Sequence, residues 1–334
     1  MTAAAERRKI LVTGGLGFIG FHLAVRLSRE PGTELVIVDN LMRGRLDADA
    51  RALVARANVR FVEGDLTDPG CYPTLGQGFA EVYHCAAVIG VRQVIERPEV
   101  VLRVNALSVI LLLEWFVAGG AERLVFPSTS EAYAWTQTFH DVPVPTPEEV
   151  PLAVTDLENP RASYAASKIF GEVAVTQYCR RYRKRFAIVR YHNVYGPRMG
   201  TDHVIPELYR RAVVERQNPL VVYATDHSRA FCYVDDAVDA TIAAMRVPGA
   251  AGRTFNIGND RMEITIGALA QALLAAAGVE ASIEARPAPN DPITRRCPDL
   301  TKARQILGCE PTIALDCGLR RTLAWYEPFF REHA

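Results

Sequence analysis

Between residues 10 and 20 the chain reads Ile10-Leu11-Val12-Thr13-Gly14-Gly15-Leu16-Gly17-Phe18-Ile19-Gly20. An apolar strand-like run breaks into glycines at 14, 17 and 20, and a helical pattern comes next. Strand, tight turn and helix start in that order make the opening of a dinucleotide-binding βαβ unit. Gly14 allows the sharp turn, Gly17 lets the backbone approach a pyrophosphate, and Gly20 lets the helix pack closely on the sheet. The amino end of the helix then faces the diphosphate with free N–H groups. A second half completes the signal. Glu34-Leu35-Val36-Ile37-Val38-Asp39 reads as a second strand ending in an acid, 19 residues after Gly20. A carboxylate there accepts the adenosine ribose hydroxyls and repels a 2′-phosphate, so the expected cofactor is NAD rather than NADP.

Further along, strand-like runs alternate with helical ones. The strands expected are Ile10–Thr13, Leu35–Asp39, Val59–Glu63, Glu81–His84, Arg123–Pro127, Phe186–Arg190 and, late in the chain, Thr254–Ile257. The helices expected are Phe18–Arg29, Leu46–Ala57, Glu99–Ala118 and Ser163–Tyr182. This alternation predicts an α/β fold, a doubly wound parallel Rossmann sheet with right-handed crossovers. After about Gly196 the pattern changes to proline-punctuated short elements, including Pro289 and Pro292. The expectation is an NAD-binding domain over 1–196, with returns near 231–258, and a smaller C-terminal α/β substrate lobe over 197–334.

Composition narrows the class of protein. The 334 residues can bury a large core. The balance of 38 basic and 38 acidic residues gives no reason to expect nucleic acid as a partner. The one basic run, Arg180 to Arg185, reads as a solvated helix end. The seven cysteines form no C-x-x-C pair, and Met1 to Lys9 is short and polar. A reduced, cytoplasmic protein is expected. The apolar stretch Ala106 to Leu113 is too short for a bilayer, so no membrane partner is expected. No His, Cys and acid cluster has metal-ligand spacing, so no metal is proposed.

Tyr164-Ala165-Ala166-Ser167-Lys168 opens the long helix after the fifth strand. Tyr and Lys four apart project from one helical face. A nearby ammonium, together with the positive nicotinamide of NAD, lowers the phenol pKa so that it can take a proton from a substrate hydroxyl. The fifth strand ends in Pro127-Ser128-Thr129-Ser130-Glu131, where Thr129 supplies a hydroxyl to the same substrate oxygen.

With these motifs the chain resembles the extended short-chain dehydrogenase/reductase family, in its NAD-dependent nucleotide-sugar epimerase, dehydratase and decarboxylase branch. Nearly the whole chain takes part in the resemblance. Asp65-Leu66 resembles the family's adenine contact, Cys85-Ala86-Ala87 its second backbone contact to the cofactor, and Asn105 its helix asparagine. Arg190-Tyr191-His192-Asn193-Val194-Tyr195-Gly196-Pro197-Arg198 is similar to the segment leading into the sugar lobe. Arg229 and Arg296 sit in segments whose arginines meet the diphosphate or ribose. The resemblance implies cofactor contacts at Gly14, Gly17, Phe18, Ile19, Gly20, Asp39, Asn40, Asp65, Leu66, Cys85, Ala86, Ala87, Asn105, Ser128, Tyr164, Lys168, Tyr191 and Val194. It implies substrate contacts at Ser130, Asn193, Val204, Tyr223, Arg229 and Arg296, with Thr129, Glu131, Tyr164 and Lys168 catalytic. It also implies a homodimer through the two long helices, a reading that the apolar excess around Leu111 and Phe116 supports. Three features depart from the family pattern: Ala134 after Tyr133, Leu107-Ser108-Val109 after Asn105, and the proline-rich stretch Gln137 to Val154.

The first step that the resemblance implies is oxidation at sugar C4 to a 4-keto intermediate. The fate of that ketone depends on Glu131, at a position that simple epimerases fill with a small residue. A carboxylate there acts as general acid or base at C5 or C6. Thr129-Ser130-Glu131 resembles the segment of UDP-glucuronate decarboxylases and of GDP-mannose 4,6-dehydratases, whereas glucose 4,6-dehydratases carry Asp where Ser130 stands; decarboxylation and 4,6-dehydration are ranked first. A 4-epimerase of the UDP-glucose or UDP-glucuronate type is the alternative, and Glu131 is then a structural carboxylate that caps the following turn or pairs with an arginine. A non-catalytic regulator that binds NAD and a nucleotide sugar is the third reading. His84 is expected to be satisfied by backbone and His192 to be structural or on the nicotinamide side. His203 and His227 are expected in the substrate lobe.

Overall fold

The computed structural model describes residues 8–287 and 293–332; the first seven residues, Pro289 and Pro292 lie outside them. Through the first half of the chain, strands and helices alternate: β1 (Arg8–Thr13), α1 (Phe18–Leu27), β2 (Thr33–Asp39), α2 (Ala48–Val54), β3 (Val59–Glu63), α3 (Cys71–Leu75), β4 (Phe79–His84), α4 (Val91–Glu96), α5 (Pro98–Trp115), β5 (Ala121–Thr129), α6 (Glu131–Ala134), α7 (Ala162–Arg181) and β6 (Arg185–Tyr191). The second half contributes β7 (Val194–Tyr195), α8 (Val204–Tyr209), β8 (Leu220–Tyr223), β9 (Ser228–Ala230), β10 (Cys232–Tyr233), α9 (Val234–Arg246), β11 (Arg253–Ile257), β12 (Glu263–Thr265), α10 (Ile266–Ala277), β13 (Ile283–Arg286), β14 (Arg295–Arg296) and α11 (Leu315–Glu332).

Seven strands form one parallel sheet in the order β11-β6-β5-β4-β1-β2-β3. Every strand expected from the sequence is in it, lengthened by a residue or two at most of its ends. The reason is visible in β1. Ile10 and Val12 enter one buried apolar layer and Leu11 the other, all fully buried. A strand covered on both faces reads as an unbroken apolar run, as parallel strands do. The strand order reverses at β1, whose neighbours are β2 and β4. The crevice outside their carboxyl ends is where such sheets bind ligands.

The short strands outside this sheet pair among themselves. β7 pairs with β10, β9 lies between β12 and β14, and β8 pairs with β13. Here the sequence reading falls short. It expects only short elements, yet α11 runs 18 residues. Leu315, Leu319, Leu323, Tyr326 and Phe330 form its buried stripe, and Pro328 falls in its closing turns.

The expectation about membrane-spanning length also needs correction. Helix α5 and the turn after it, Pro98–Gly120, are long and apolar enough to cross a bilayer by length and composition. Val101, Val109, Leu112, Leu113 and Phe116 on it are buried in the structure, which accounts for the apolar character in a helix packed on a sheet. The seven cysteines are free thiols. Arg180 to Arg183 and Arg185 are exposed at the end of α7, as expected of a solvated run.

Candidate active site

A cleft of about 750 Å³ opens along the carboxyl ends of the central strands. Its first wall is the glycine turn. Gly14 has φ +61°, and a Cβ there would stand 2.8 Å from the backbone of Ala86. A Cβ on Gly20 would run into the carbonyl oxygen of Gly14. Helix α1 starts with Gly17 as its N-cap and no capping side chain, so its first N–H groups face the cleft. Thr13 ties this turn to the next loop. Its hydroxyl bonds His84 Nδ1 at 2.9 Å and accepts from the Ala86 N–H at 3.1 Å. His84 thus takes a side-chain partner rather than the backbone one expected, and burial pulls its pKa down to about 3.

Asp39 stands at the end of β2, nearly buried. Its carboxylate accepts the Leu16 N–H at 3.0 Å and the Leu41 N–H at 2.9 Å. Burial raises its pKa, and these amides oppose the rise. The lone pairs left over suit hydroxyl donors. Next to it, Asn40 donates to Asp65 at 3.4 Å, and Asp65 is held by the Thr67 amide and hydroxyl at 2.8 Å each. Leu66 lies in the same wall, as do Phe18, Ile19, Cys85, Ala86, Ala87, Tyr191 and Val194. A glycine cradle that no Cβ fits, a helix N-terminus and a carboxylate at the second strand suit NAD.

At the other end of the cleft are Thr129, Ser130, Glu131, Tyr164 and Lys168. The Thr129 hydroxyl accepts the Glu131 N–H at 3.2 Å and hydrogen-bonds the Tyr164 phenol. The sequence makes Lys168 the charge that lowers the phenol. In the structure its Nζ donates to the Pro127 carbonyl at 2.8 Å and lies 5.0 Å above the Phe126 ring. Burial pushes Tyr164 up to about 12; the Thr129 bond and the charge of Arg43 oppose this, while Glu131 adds to it. Burial also pulls Lys168 down to about 8, against the attraction of Cys85 and Glu172. Burial therefore outweighs the fixed charges. A further cation beside the phenol, such as oxidised nicotinamide, favours its ionised form.

Glu131 and Arg296, proposed for different roles, are an ion pair. Several other expected contacts lie elsewhere. Asn105 stands behind the cleft wall, not in it. Its amide accepts the Val88 N–H at 2.7 Å and donates to the Val88 carbonyl and to Ser167 at 3.1 Å each. It braces the loop after β4 against α7. Ser128 lines the cleft, but its hydroxyl turns away to Glu172 at 2.6 Å. Arg229 is outside the cleft lining because its guanidinium donates to the carbonyls of Ser228, Ile293 and Thr294. Tyr223 is an exposed residue at the end of β8, and Val204 starts α8 just behind His203, which does line the cleft with Asn193.

A buried network beneath Tyr164 and Lys168 escapes the sequence reading. Arg190 binds both carboxylate oxygens of Glu172, at 2.8 and 2.6 Å, and donates to the Tyr133 hydroxyl at 2.7 Å. Tyr133 donates to Asn256 at 2.9 Å, whose carbonyl oxygen also meets His192 Nε2 at 3.0 Å. Glu172 is one turn beyond Lys168 on α7, so the network fixes the helix that carries Tyr164 and Lys168. His192 is thereby structural. The signal available in sequence was only Glu172 at i+4 from Lys168. Arg43, a cleft residue beside the phenol, carried none.

Comparison with known proteins places this geometry. Residues 10–258 match the model of the NAD dependent epimerase/dehydratase family. The chain is 30% identical over 330 residues to a UDP-N-acetyl-alpha-D-glucosaminuronate decarboxylase of Bacillus cytotoxicus, covering 96% of this chain and 98% of that one. It is 29% identical over 321 residues to a UDP-glucose 4-epimerase of Mycolicibacterium smegmatis, covering 95% and 98%. Among solved structures, a dTDP-glucose 4,6-dehydratase from Streptomyces venezuelae with NAD bound superposes with a TM-score of 0.82 at 28% identity, covering 96% of this chain and 97% of that one.

Proposed function

The chain belongs to the NAD-dependent epimerase/dehydratase family, and from that premise we propose that it oxidises a nucleotide-linked sugar at C4 and then acts at C5. The observation that carries the second half is the Glu131–Arg296 pair beside Tyr164. When bound, NAD supplies the oxidising and reducing equivalent at C4. Tyr164 takes the proton of the C4 hydroxyl, and Thr129 holds the same oxygen. Lys168 fixes the end of β5 through Pro127.

Decarboxylation of a sugar uronate is the reading favoured. A C4 ketone is β to the C5 carboxylate, so the C5–C6 bond can break with its electron pair entering the ketone as CO₂ leaves. C5 is then protonated, and Tyr164 returns the C4 proton. Arg296 is the cation that receives the substrate carboxylate, exchanging it for Glu131. Glu131, released, is the acid or base near C5. The dehydratase reading uses the same Glu131 at C5 and C6. The 4-epimerase reading makes the pair structural, and the 29% identity to a UDP-glucose 4-epimerase supports it. Incubation with a panel of UDP-, GDP-, CDP- and dTDP-sugars, read by mass spectrometry, separates the three. The expected change is the loss of CO₂ from a uronate. Loss of water indicates the dehydratase, and an unchanged mass with altered NMR couplings the epimerase.

Two structural readings go with this proposal. The segment from residue 197 onward, apart from α9 and β11, forms the nucleotide-sugar lobe. The protein is a homodimer through α5 and α7, whose joined surface exposes Leu102, Phe170 and Val173; Phe116, expected to contribute, is instead buried in the core and Leu111 packs against it, and the two helices are cross-braced by Asn105 and Ser167.

A further inference from the structure

Arg43 lies four residues past Asp39 and lines the cleft. Its Nη1 donates to the Ile89 carbonyl at 2.7 Å. The side chain therefore spans from the loop after β2 to the loop after β4. Gly200 makes room for it, and Gly90 lies within ordinary contact range. A Cβ on Gly200 would stand 2.8 Å from Nη2, and one on Gly90 3.8 Å from the same atom. Three backbone segments thus converge on one guanidinium. Its charge is felt by Tyr164, Asp202 and His203, and Arg45 is the nearby like charge that opposes it. Among the described residues Ile89 is its one hydrogen-bond acceptor, which leaves most of its five N–H donors for a ligand.

We propose that Arg43 is a latch that closes over the diphosphate of the bound dinucleotide. The inference rests on NAD occupying the cleft. Asp39 marks the ribose end of the groove and Tyr164 the nicotinamide end. Arg43 is anchored four residues from the first and acts electrostatically on the second, so it lies over the stretch between them, where the diphosphate must run. The Gly14–Gly17 turn offers amides from one side and Arg43 a planar fork from the other, the geometry that suits phosphate oxygens. Because the arm is tied to Ile89 across the groove, the dinucleotide leaves only when the arm swings. A nucleotide sugar also carries a diphosphate, and the test separates the two sources.

Dissociation of NAD is followed by chase, and affinities for ADP-ribose, adenosine and the diphosphates of uridine, guanosine, cytidine and thymidine by calorimetry, in the native protein, Arg43→Gln and Arg43→Lys. Thermal melts check that each variant is folded. The latch predicts that Arg43→Gln releases NAD about tenfold faster or more and weakens ADP-ribose by a similar factor. Adenosine and the nucleoside diphosphates should bind unchanged, and Arg43→Lys should recover part of the loss. NAD release within about twofold of native in Arg43→Gln, or a loss that falls on a nucleoside diphosphate instead, overturns the latch. A native protein that binds no NAD overturns the cofactor reading along with it.

Discussion

The carboxylate of Glu131, which lines the cleft, and the guanidinium of Arg296, which stands outside that lining, 165 residues apart in sequence, close into an ion pair. Glu131 opens α6 directly after β5. Arg296 arrives on β14, which pairs with β9 in parallel register, Arg296 opposite Arg229. The segment beyond it is pinned by Thr146, whose N–H donates to the Cys297 carbonyl at 2.8 Å and whose carbonyl accepts the Asp299 N–H at 2.9 Å. Glu131 keeps 38% of its side chain exposed and Arg296 13%. Arg296 is thus largely enclosed while Glu131 reaches water, so the proposed exchange of Glu131 for a substrate carboxylate keeps the guanidinium paired.

Tyr164→Phe should retain NAD, since the glycine turn and Asp39 are untouched. Turnover should fall at least about a hundredfold, the scale for losing a positioned acid or base. Single-turnover assays with the sugar found active in the panel check this. Near-native turnover would remove Tyr164 from the mechanism.

Asp39→Ala should narrow the preference for NAD over NADP, because the charge that repels a 2′-phosphate is gone. The same change leaves the Leu16 and Leu41 amides without their acceptor, so a lowered melting temperature should accompany it. Calorimetric affinities for both dinucleotides decide the matter. Equal affinity in the unmutated protein would refute the assignment.

Stability should fall as pH drops below 6.5. His84 and His192 are buried, with pKa values lowered by burial to about 3 and about 4. Unfolding returns each to about 6.5, so between these values the unfolded chain binds more protons than the folded one. Stability is therefore lost as pH falls, by about 2 kcal/mol per histidine at pH 5. Urea denaturation between pH 7 and 5 measures the slope. His192→Gln should flatten it, and an unchanged slope in that variant would contradict the assignment.

Val173→Asp should give a monomer at micromolar concentration, because it places a charge in the exposed apolar strip of α5 and α7. The native protein should run as a dimer in light scattering. A monomeric native protein would remove the proposed interface.

Much of this architecture is legible from local pattern. The seven sheet strands are runs of apolar residues, and the glycine turn announces itself because Gly14 has no substitute at its positive φ. What the sequence withholds depends on contacts made at long range. Asn105 looks like a cofactor ligand until its amide is found engaged by Val88 and Ser167. The Arg190–Glu172–Tyr133 network joins β6, α7 and α6, and no spacing encodes it. Arg43 comes soon after a readable acid yet has no motif of its own. Helix α11 is hidden because its proline draws attention away from a regular apolar stripe. The Tyr164–Lys168 spacing points to two residues that do share the cleft but to the wrong balance of forces, since burial of the phenol becomes visible only once the fold encloses it.

The most direct test of a carboxylate acting at C5 is rapid quench of Glu131→Gln with the uronate that the native protein decarboxylates, the keto sugar being trapped by borodeuteride and weighed by mass spectrometry. The exchange keeps the shape of residue 131 and removes its charge. If Glu131 acts at C5 after oxidation at C4, the variant should accumulate the 4-keto sugar with its carboxylate still attached and form little product. Product formation at close to the native rate, with no trapped keto sugar, would contradict that role and leave the Glu131–Arg296 pair structural.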